Sequence, residues 1–349
     1  MHNNKIEHDN AILVGVNVTE KDLDELSSLC LTCNIKEVAR VTQNRNDIDV
    51  TYYIGKGKVD EIKELIERFD ANVVVFDVEL SGSKVRNLEE VLQVPVLDRS
   101  KVILDIFAQR AQSMEGKLQV ELAQLRYNST RLVGFGAMMA KMKNSVGMRG
   151  PGEKKLEMDK RKIKEEIAIL EKRLSEVAKH RQTNRVQANR SGKKRVAIVG
   201  YTNSGKSTLL NTMAKTGVMA EDKLFATLDP KTANVYIDGH QILLTDTVGF
   251  INKLPHEFIR AFESTLDEAR YADLLLHVVD ISNLEYPQQI ETVNEVLAKI
   301  NADQIPVIMV YNKADKVKAV KGINISAKHN TGIDKLKEEI VKCISSKKI

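Results

Sequence analysis

Arg195-Val196-Ala197-Ile198-Val199-Gly200-Tyr201-Thr202-Asn203-Ser204-Gly205-Lys206-Ser207-Thr208 reads as an apolar strand that runs into a glycine-bounded loop and then a helix. From Gly200 to Ser207 the loop fits G-x-x-x-x-G-K-[S/T] at every fixed position, between the strand and helix that this pattern requires. The glycines let the backbone curl so that successive N–H groups point to one spot at a helix N-terminus, an anion-binding geometry. Lys206 is then expected on the β- and γ-phosphates of a nucleotide, and Ser207 puts its hydroxyl on Mg²⁺. The expected nucleotide contacts run from Gly200 through Thr208.

Two later segments complete this reading. Asp246-Thr247-Val248-Gly249 ends the strand expected beside the phosphates. A carboxylate there binds Mg²⁺ through water, and the Gly249 N–H can reach a γ-phosphate. Asn312-Lys313-Ala314-Asp315 follows the strand Val307–Tyr311, at the carboxyl edge where ligands bind in such sheets. Asp315 can accept from guanine N1–H and the 2-amino group together, which adenine cannot satisfy. Asn312 can bond the base or brace the phosphate loop, and the Lys313 stem covers one face of the base. Ser326-Ala327-Lys328 offers a backbone N–H to guanine O6. Each segment alone reads equally well as a turn or helix cap; their order on the expected elements selects GTP.

Around these segments strands and helices alternate: Lys206–Lys215 helix, Ala233–Ile237 and Gln241–Thr245 strands joined by Asp238-Gly239, then Glu257–Arg270, Leu274–Asp280, Gln288–Ile300, Val307–Tyr311 and Ile333–Cys343. Residues 193–349 are therefore expected as a doubly wound P-loop domain with one antiparallel hairpin. Residues 1–100 also alternate, with strands at Ala11–Val16, Val73–Asp77 and Val94–Leu97 and helices at Glu20–Asn34, Val59–Phe69 and Lys84–Leu92. That predicts a small α/β domain with a largely parallel sheet.

Between them the period lengthens. Phe107, Ala111, Met114, Leu118, Leu122, Leu125 and Leu132 recur every three or four residues or so, as do Leu156, Ile163, Ile167, Leu170, Leu174 and Val177. Residues 101–181 are expected as an antiparallel helical hairpin whose loop, 134–152, holds five glycines and a proline, and residues 182–192 as a linker. From Arg131 to Arg195 there are 19 Lys and Arg against 7 Asp and Glu, in a chain whose net charge is only +5. A basic middle predicts a polyanion contact confined to that region. Lys141, Lys143, Arg149, Lys154 and Lys155, with the methionines 138, 139, 142 and 148, suit structured RNA; a connector packed on the domain is the alternative.

The chain has 349 residues, 42% hydrophobic and 29% charged, which excludes collagenous and wholly disordered classes. No apolar run approaches the roughly 18 residues of a membrane span, and the N-terminus lacks a signal-peptide stretch. A cytoplasmic, monomeric protein is expected. Three cysteines build no disulfide scaffold. Cys30-Leu31-Thr32-Cys33 has no second ligand pair for zinc and reads as two buried helical thiols.

The motif set resembles the HflX family, in the Obg–HflX branch of P-loop GTPases. The marks are Ile54-Gly55-Lys56-Gly57-Lys58, residues 103–110 (ILDIFAQR), 115–124 (EGKLQVELAQ) and 149–153 (RGPGE), then Phe225-Ala226-Thr227-Leu228-Asp229-Pro230 and residues 246–251 (DTVGFI). The resemblance implies a GTPase that binds the large ribosomal subunit and its rRNA through the hairpin loop, and that splits or rescues stalled ribosomes under stress. It implies that Thr227 closes onto Mg²⁺ and the γ-phosphate, with Phe225 and Ala226 beside the nucleotide. It also leaves Asn203 two readings, a group that helps hold K⁺ or a residue fitted to a tight turn. Lys143-Asn144-Ser145 replaces the family's glycine run, Lys154-Lys155 its Thr-Gln, and Lys231-Thr232-Ala233-Asn234 stands where an arginine often follows; the chain stops at Ile349, so the extra C-terminal domain of many members is not expected.

Phe250 stands where many such enzymes carry a water-orienting Gln. It has no donor or acceptor, so intrinsic hydrolysis is expected at about 10⁻⁴–10⁻² s⁻¹. Two rival readings stay open: a ribosome-assembly GTPase, and an RNA-binding module whose nucleotide only sets conformation.

Overall fold

The computed structural model describes residues 9–142, 151–190, 193–214, 224–225, 228–253, 258 and 263–346. The chain divides into two compact units, residues 1–109 with 120–172, and residues 110–119 with 173–349.

The first unit is built on a parallel four-stranded sheet in the order β2-β1-β3-β4, with β1 Asp9–Val16, β2 Ile35–Gln43, β3 Val73–Phe76 and β4 Val96–Asp98. Helix α1 (Glu20–Thr32) starts at a capping box: Thr19 Oγ1 accepts from the Asp22 amide at 3.3 Å, and Asp22 Oδ2 accepts from the Thr19 amide at 2.9 Å. Helices α2 (Lys56–Phe69) and α3 (Gly82–Leu92) pack Val59, Ile62, Leu88 and Leu92 into one core with Ile12, Val14, Val74 and Phe76. Burying that many aliphatic side chains, at about 1.5–3 kcal/mol each, is what holds so short a sheet together.

β2 was not expected. It is an edge strand whose apolar residues are broken up by Lys36, Glu37 and Arg40 and half-exposed along its middle, so it shows no long apolar run. Its Arg40 pairs with Glu37 at 2.5 Å and with Asp24 of α1 at 2.8 Å. The two thiols also differ from expectation: Cys30 is buried on α1, while Cys33 is half-buried at its C-cap and its Sγ donates to the Val102 carbonyl at 3.7 Å. Burial pushes both thiols up to about 12, so neither is a ready thiolate.

The single long helix expected from Lys101 is two. Helix α4 (Arg99–Arg110) stops before Ala111-Gln112-Ser113, and α5 (Met114–Met142) begins after them. Ser113 caps α5, accepting the Gly116 amide on its Oγ at 2.9 Å. The apolar period runs through the break, so periodicity could not reveal it. α5 also continues to Met142 and α6 spans Pro151–Arg190, so 134–142, 151–152 and 182–190 are helix where loop and linker were expected. Gly134 and Gly136 each weaken a helix by about 1 kcal/mol relative to alanine, which the surrounding Ala, Met and Lys outweigh. Pro151 suits the first turn of α6. Arg126 of α5 pairs with Glu171 of α6 at 2.7 Å. Lys143 and Arg149 lie outside the described residues, as do the side chains of Lys141, Lys154 and Lys155.

Asp98 anchors this unit. It is fully buried at the end of β4 and accepts from the Leu80 amide at 3.0 Å, the Lys101 amide at 2.8 Å and the Tyr127 hydroxyl at 2.8 Å, and it pairs with Arg131. α5 is thereby fixed to the carboxyl end of the sheet.

The second unit carries six strands in the order β10-β9-β8-β5-β7-β6. They are β5 Lys194–Val199, β6 Lys231–Ile237, β7 His240–Asp246, β8 Leu274–Asp280, β9 Val307–Asn312 and β10 Ile323–Asn324. All neighbours run parallel except β6, which pairs antiparallel with β7 through the Asp238-Gly239 turn. The unit's described helices after β5 are α7 (Lys206–Ala214), α8 (Glu263–Arg270), α9 (Tyr286–Lys299) and α10 (Ile333–Ser346). This is the doubly wound arrangement expected, with the two-residue β10 added. Because β5, β7, β8 and β9 are parallel, their carboxyl ends emerge on one edge, where the candidate segments lie.

Candidate nucleotide site

The loop after β5 has the left-handed backbone that its glycines allow. Gly200 has φ +153° and Gly205 φ +95°. A Cβ on Gly200 would sit 2.3 Å from the Val278 carbonyl oxygen, and one on Gly205 2.2 Å from Asn312 Nδ2. Both positions exclude any other residue. Asn203, at φ +59°, is exposed at the loop's crest.

Lys206 is the first residue of α7 and is buried. Its Nζ donates to the Tyr201 carbonyl at 2.8 Å, so the chain of the lysine is bent back over the loop it follows. Burial pulls its pKa down to about 8, against the opposing pull of Asp246. His277 of β8, paired in register with Val199, is pushed down to about 4 by burial and the Lys206 charge, so it stays neutral.

Ser207 Oγ donates to Asp246 Oδ2 at 2.6 Å, and Asp246 is fully buried at the end of β7. A hydroxyl and a carboxylate at this separation are the hard oxygen donors that Mg²⁺ takes, with water and phosphate filling the remaining positions. The Thr202 and Ser204 hydroxyls are buried with no hydrogen-bond partner among the described residues. A loop that presents them over a glycine cradle fits a polyphosphate with its metal.

After Asp246 the backbone folds across the loop. The Thr202 amide donates to the Phe250 carbonyl at 2.8 Å and the Phe250 amide to the Gly200 carbonyl at 3.1 Å, a parallel bridge. A Cβ on Gly249 would lie 2.8 Å from Thr202 Cγ2 and 2.9 Å from Thr202 Cα, so only glycine lets the chain pass this near the loop. Thr247 donates its hydroxyl to the Ile198 carbonyl at 2.8 Å and Val248 is buried, so these two expected contacts hold the frame through their side chains. Phe250 is itself buried. The Tyr201 hydroxyl accepts from the Asn252 amide at 2.8 Å, and Asn252 Oδ1 accepts from Thr292 of α9 at 2.7 Å.

The segments expected to read the base, 312–315 and 326–328, are tied to the loop. Asn312 Nδ2 donates to the Ser204 carbonyl at 2.8 Å, and Oδ1 accepts the Ala327 amide at 3.0 Å. Of its two sequence readings, bracing is the one the structure shows. The Ser326 amide is used by the Thr331 carbonyl at 3.0 Å, so of the triplet 326–328 the Lys328 amide is left for O6. Asp315 accepts from Ser326 Oγ at 2.5 Å, which holds its carboxyl below the usual range, and His329 stands 3.8 Å away. Lys313, at φ +62°, extends to Asp280 at 2.7 Å. Thr212 of α7 donates to the Ala327 carbonyl at 2.8 Å, tying the phosphate helix to the same loop.

The structure thus brings together 200–208, 246–249, 312–315 and 326–328. Phe225 is buried with φ +52°, while Ala226 and Thr227 lie outside the described residues. Asp280, Tyr201's hydroxyl and the Asn252–Thr292 pair were missed. Asp280 was open to discovery, since it ends a strand at the ligand edge; the other contacts join distant segments and leave no local signal. Among the described residues no helix is long and apolar enough to cross a membrane, and no cluster of three or more His, Cys, Asp or Glu could hold a metal.

Comparison with known proteins agrees with this geometry. Family models described as GTP-binding GTPase N-terminal, GTP-binding GTPase Middle Region and 50S ribosome-binding GTPase match residues 20–108, 110–188 and 195–313. GTPase HflX of Caldanaerobacter subterraneus is 46% identical over 95% of this chain and 79% of its own length. That of Lacrimispora saccharolytica is 49% identical over 93% and 80%, and that of Escherichia coli 44% over 87% and 73%. Among solved structures, a GDP complex of SsGBP covers 98% of this chain and 100% of its own at 25% identity and TM-score 0.54. A GTP-binding protein from Sulfolobus solfataricus with GDP covers 97% and 99% at 24% and 0.51, a likeness of fold. With the phosphate cradle, the Mg²⁺-type oxygen pair and the braced guanine segments on one sheet edge, and relatives this similar over nearly the whole chain, the chain belongs to the HflX family of GTPases.

Proposed function

We propose that this GTPase is a timer on the large ribosomal subunit: it binds there with GTP and leaves after hydrolysis, splitting or rescuing stalled ribosomes under stress. The observation that carries the reading is the basic helical region between Arg131 and Arg195, in a chain whose remainder is acidic overall. A long helix of α6's kind, rich in Lys and Arg, suits rRNA phosphates, and the match to a ribosome-binding GTPase model supports the same partner. In this reading Lys141, Lys143, Arg149, Lys154 and Lys155 contact RNA, and the protein works in the cytoplasm as a monomer.

At the site, Lys206 holds the terminal phosphates, Ser207, Thr227 and Asp246 hold Mg²⁺, and the Gly249 amide meets the γ-phosphate. Phe225 and Ala226 flank the nucleotide. Mg²⁺, when bound, neutralises charge developing on the phosphate oxygens. Asn312 keeps the loop in shape, Asp315 reads the base and Lys313 covers it. Phe250 is buried and cannot orient water, so the stimulating group comes from the ribosome or from K⁺ held near Asn203.

GTP turnover measured in K⁺ buffer, with and without purified large subunits, tests this. Stimulation of about a hundredfold from a slow basal rate is expected, short of the roughly 10³–10⁵ that an arginine finger gives such enzymes. A flat rate would overturn the ribosome-activated timer. Burial of Phe250 favours one second reading, an RNA-binding module switched by nucleotide, which predicts nucleotide-dependent RNA affinity without stimulated turnover.

A further inference from the structure

Asp229 lies two residues before β6, outside every nucleotide-contact segment above. Its Oδ2 accepts from the backbone amides of Gln112 and Ser113, each at 2.8 Å, and its Oδ1 accepts from the Ser113 hydroxyl. Ser113 Oγ in turn accepts from the Gly116 amide. A carboxylate more than a hundred residues away in sequence therefore holds the amides of the two residues that lead into α5, one of them its cap, and places negative charge at the positive end of that helix.

Gly116 shows that the approach is built in. A Cβ there would lie 2.4 Å from Asp229 Oδ1 and 3.1 Å from Ser113 Oγ. Glycine in a helix costs about 1 kcal/mol relative to alanine. Here it makes room for the carboxylate.

The other end of the link is the nucleotide site. Lys231 pairs in register with Asp246, and Thr232 with Thr245, their hydroxyls 2.9 Å apart. Asp229 is thus two residues from the strand position opposite the carboxylate of the Mg²⁺-type oxygen pair. A cavity of about 270 Å³ bordered by Glu115, Thr232 and Glu268 leaves this junction room to shift.

We propose that Asp229 is a positioning residue that joins the nucleotide site to the first turn of α5, so that capping of this helix depends on which guanine nucleotide is bound. This rests on the nucleotide reading of the site. Linkage requires the dependence to run both ways: if nucleotide alters the cap, loss of the cap alters the preference between nucleotides.

The test uses the full chain with Mg²⁺ and measures Kd for GDP and for a non-hydrolysable GTP analogue in wild type, Asp229→Ala, Gly116→Ala and the double variant. Each single variant is expected to change the ratio of the two Kd values by about fivefold or more, both in the same direction, at the lower end of measured couplings. The double variant should add little, since both changes break one contact. An unchanged ratio with a lowered Tm would overturn the proposal and leave the cap a structural contact. Should the variants not fold, hydrogen exchange of the wild-type amides at Gln112, Ser113 and Gly116 decides: protection that differs between nucleotides supports the link, and equal protection overturns it. Wild type that binds neither nucleotide would instead overturn the site reading, and the inference with it.

Discussion

Asn312 Nδ2 donates to the carbonyl oxygen of Ser204 at 2.8 Å, from the end of β9 to the crest of a loop 108 residues earlier. Its Oδ1 holds the Ala327 amide, so one buried amide group joins the phosphate loop to the base-side turn. Asn312→Ala strands a buried carbonyl and a buried N–H, each at about 1–3 kcal/mol. We expect a lower Tm for the second unit and weaker binding of GDP and GTP alike, read by thermal unfolding and nucleotide titration. Equal affinity in the variant would show that bracing is not what the asparagine contributes.

Lys206 makes nucleotide binding pH-dependent. Its pKa near 8 in the free protein means that a charged ammonium is held there at a cost, which lifts as pH rises from about 8 toward the ordinary lysine value. Above 8 the unfolded chain binds the extra proton, so stability from this group rises with pH. Phosphates restore the high pKa, so binding takes up a proton above pH 8 and none well below it. Affinity should be flat with respect to this group below about pH 7.5 and weaken by up to tenfold per unit above 8. Calorimetry in buffers of different ionisation enthalpy reads the proton directly; no uptake at pH 9 would refute the assignment.

Ser207 and Asp246, 2.6 Å apart, set the metal dependence. Ser207→Ala removes the hydroxyl expected at the metal but leaves the glycine cradle and Lys206 in place. Half-saturating Mg²⁺ for nucleotide retention should rise by about 10–100-fold, the usual scale for disturbing a metal site's support, and more if the hydroxyl binds the ion directly. Nucleotide dissociation followed across a Mg²⁺ titration, with chelator as the zero point, gives the value. An unshifted midpoint would place the metal elsewhere.

The phosphate loop was readable because its pattern is local: eight consecutive residues fix its glycines, its lysine and its hydroxyl. The sheet that carries it was readable because β8, buried along nearly its whole length, leaves an unbroken apolar run. The missed parts lack that locality. β2 is half-exposed and charged, and β10 is two residues long. The break between α4 and α5 is held by Asp229 as well as by Ser113, and no window around Ser113 contains that carboxylate. Likewise, the role of Asn312 was left open between base and loop, since Ser204 and Ala327 meet it only in the folded sheet.

In the proposed site, Asp315 is the residue expected to choose the base. Its carboxylate accepts from Ser326 Oγ at 2.5 Å, and that bond, with His329 nearby, keeps it charged well into the acid range. Guanine presents two donors, N1–H and the 2-amino group, and a carboxylate offers two acceptors. Asp315→Asn replaces one acceptor with a donor that faces the 2-amino group. Losing a hydrogen bond to this charged group should weaken GDP binding by roughly 10–150-fold in Kd. Xanthine carries a carbonyl at that position and accepts from the new amide, so XDP should bind the variant better than the wild type. Because the pKa is lowered, the carboxylate's contribution is present above the usual aspartate range and is lost only as pH falls through the lowered value. Wild-type preference for GDP over XDP should therefore persist at pH 5. Competition titrations with both nucleotides read the result, and a variant that still prefers GDP to XDP by the wild-type ratio would remove Asp315 from base recognition.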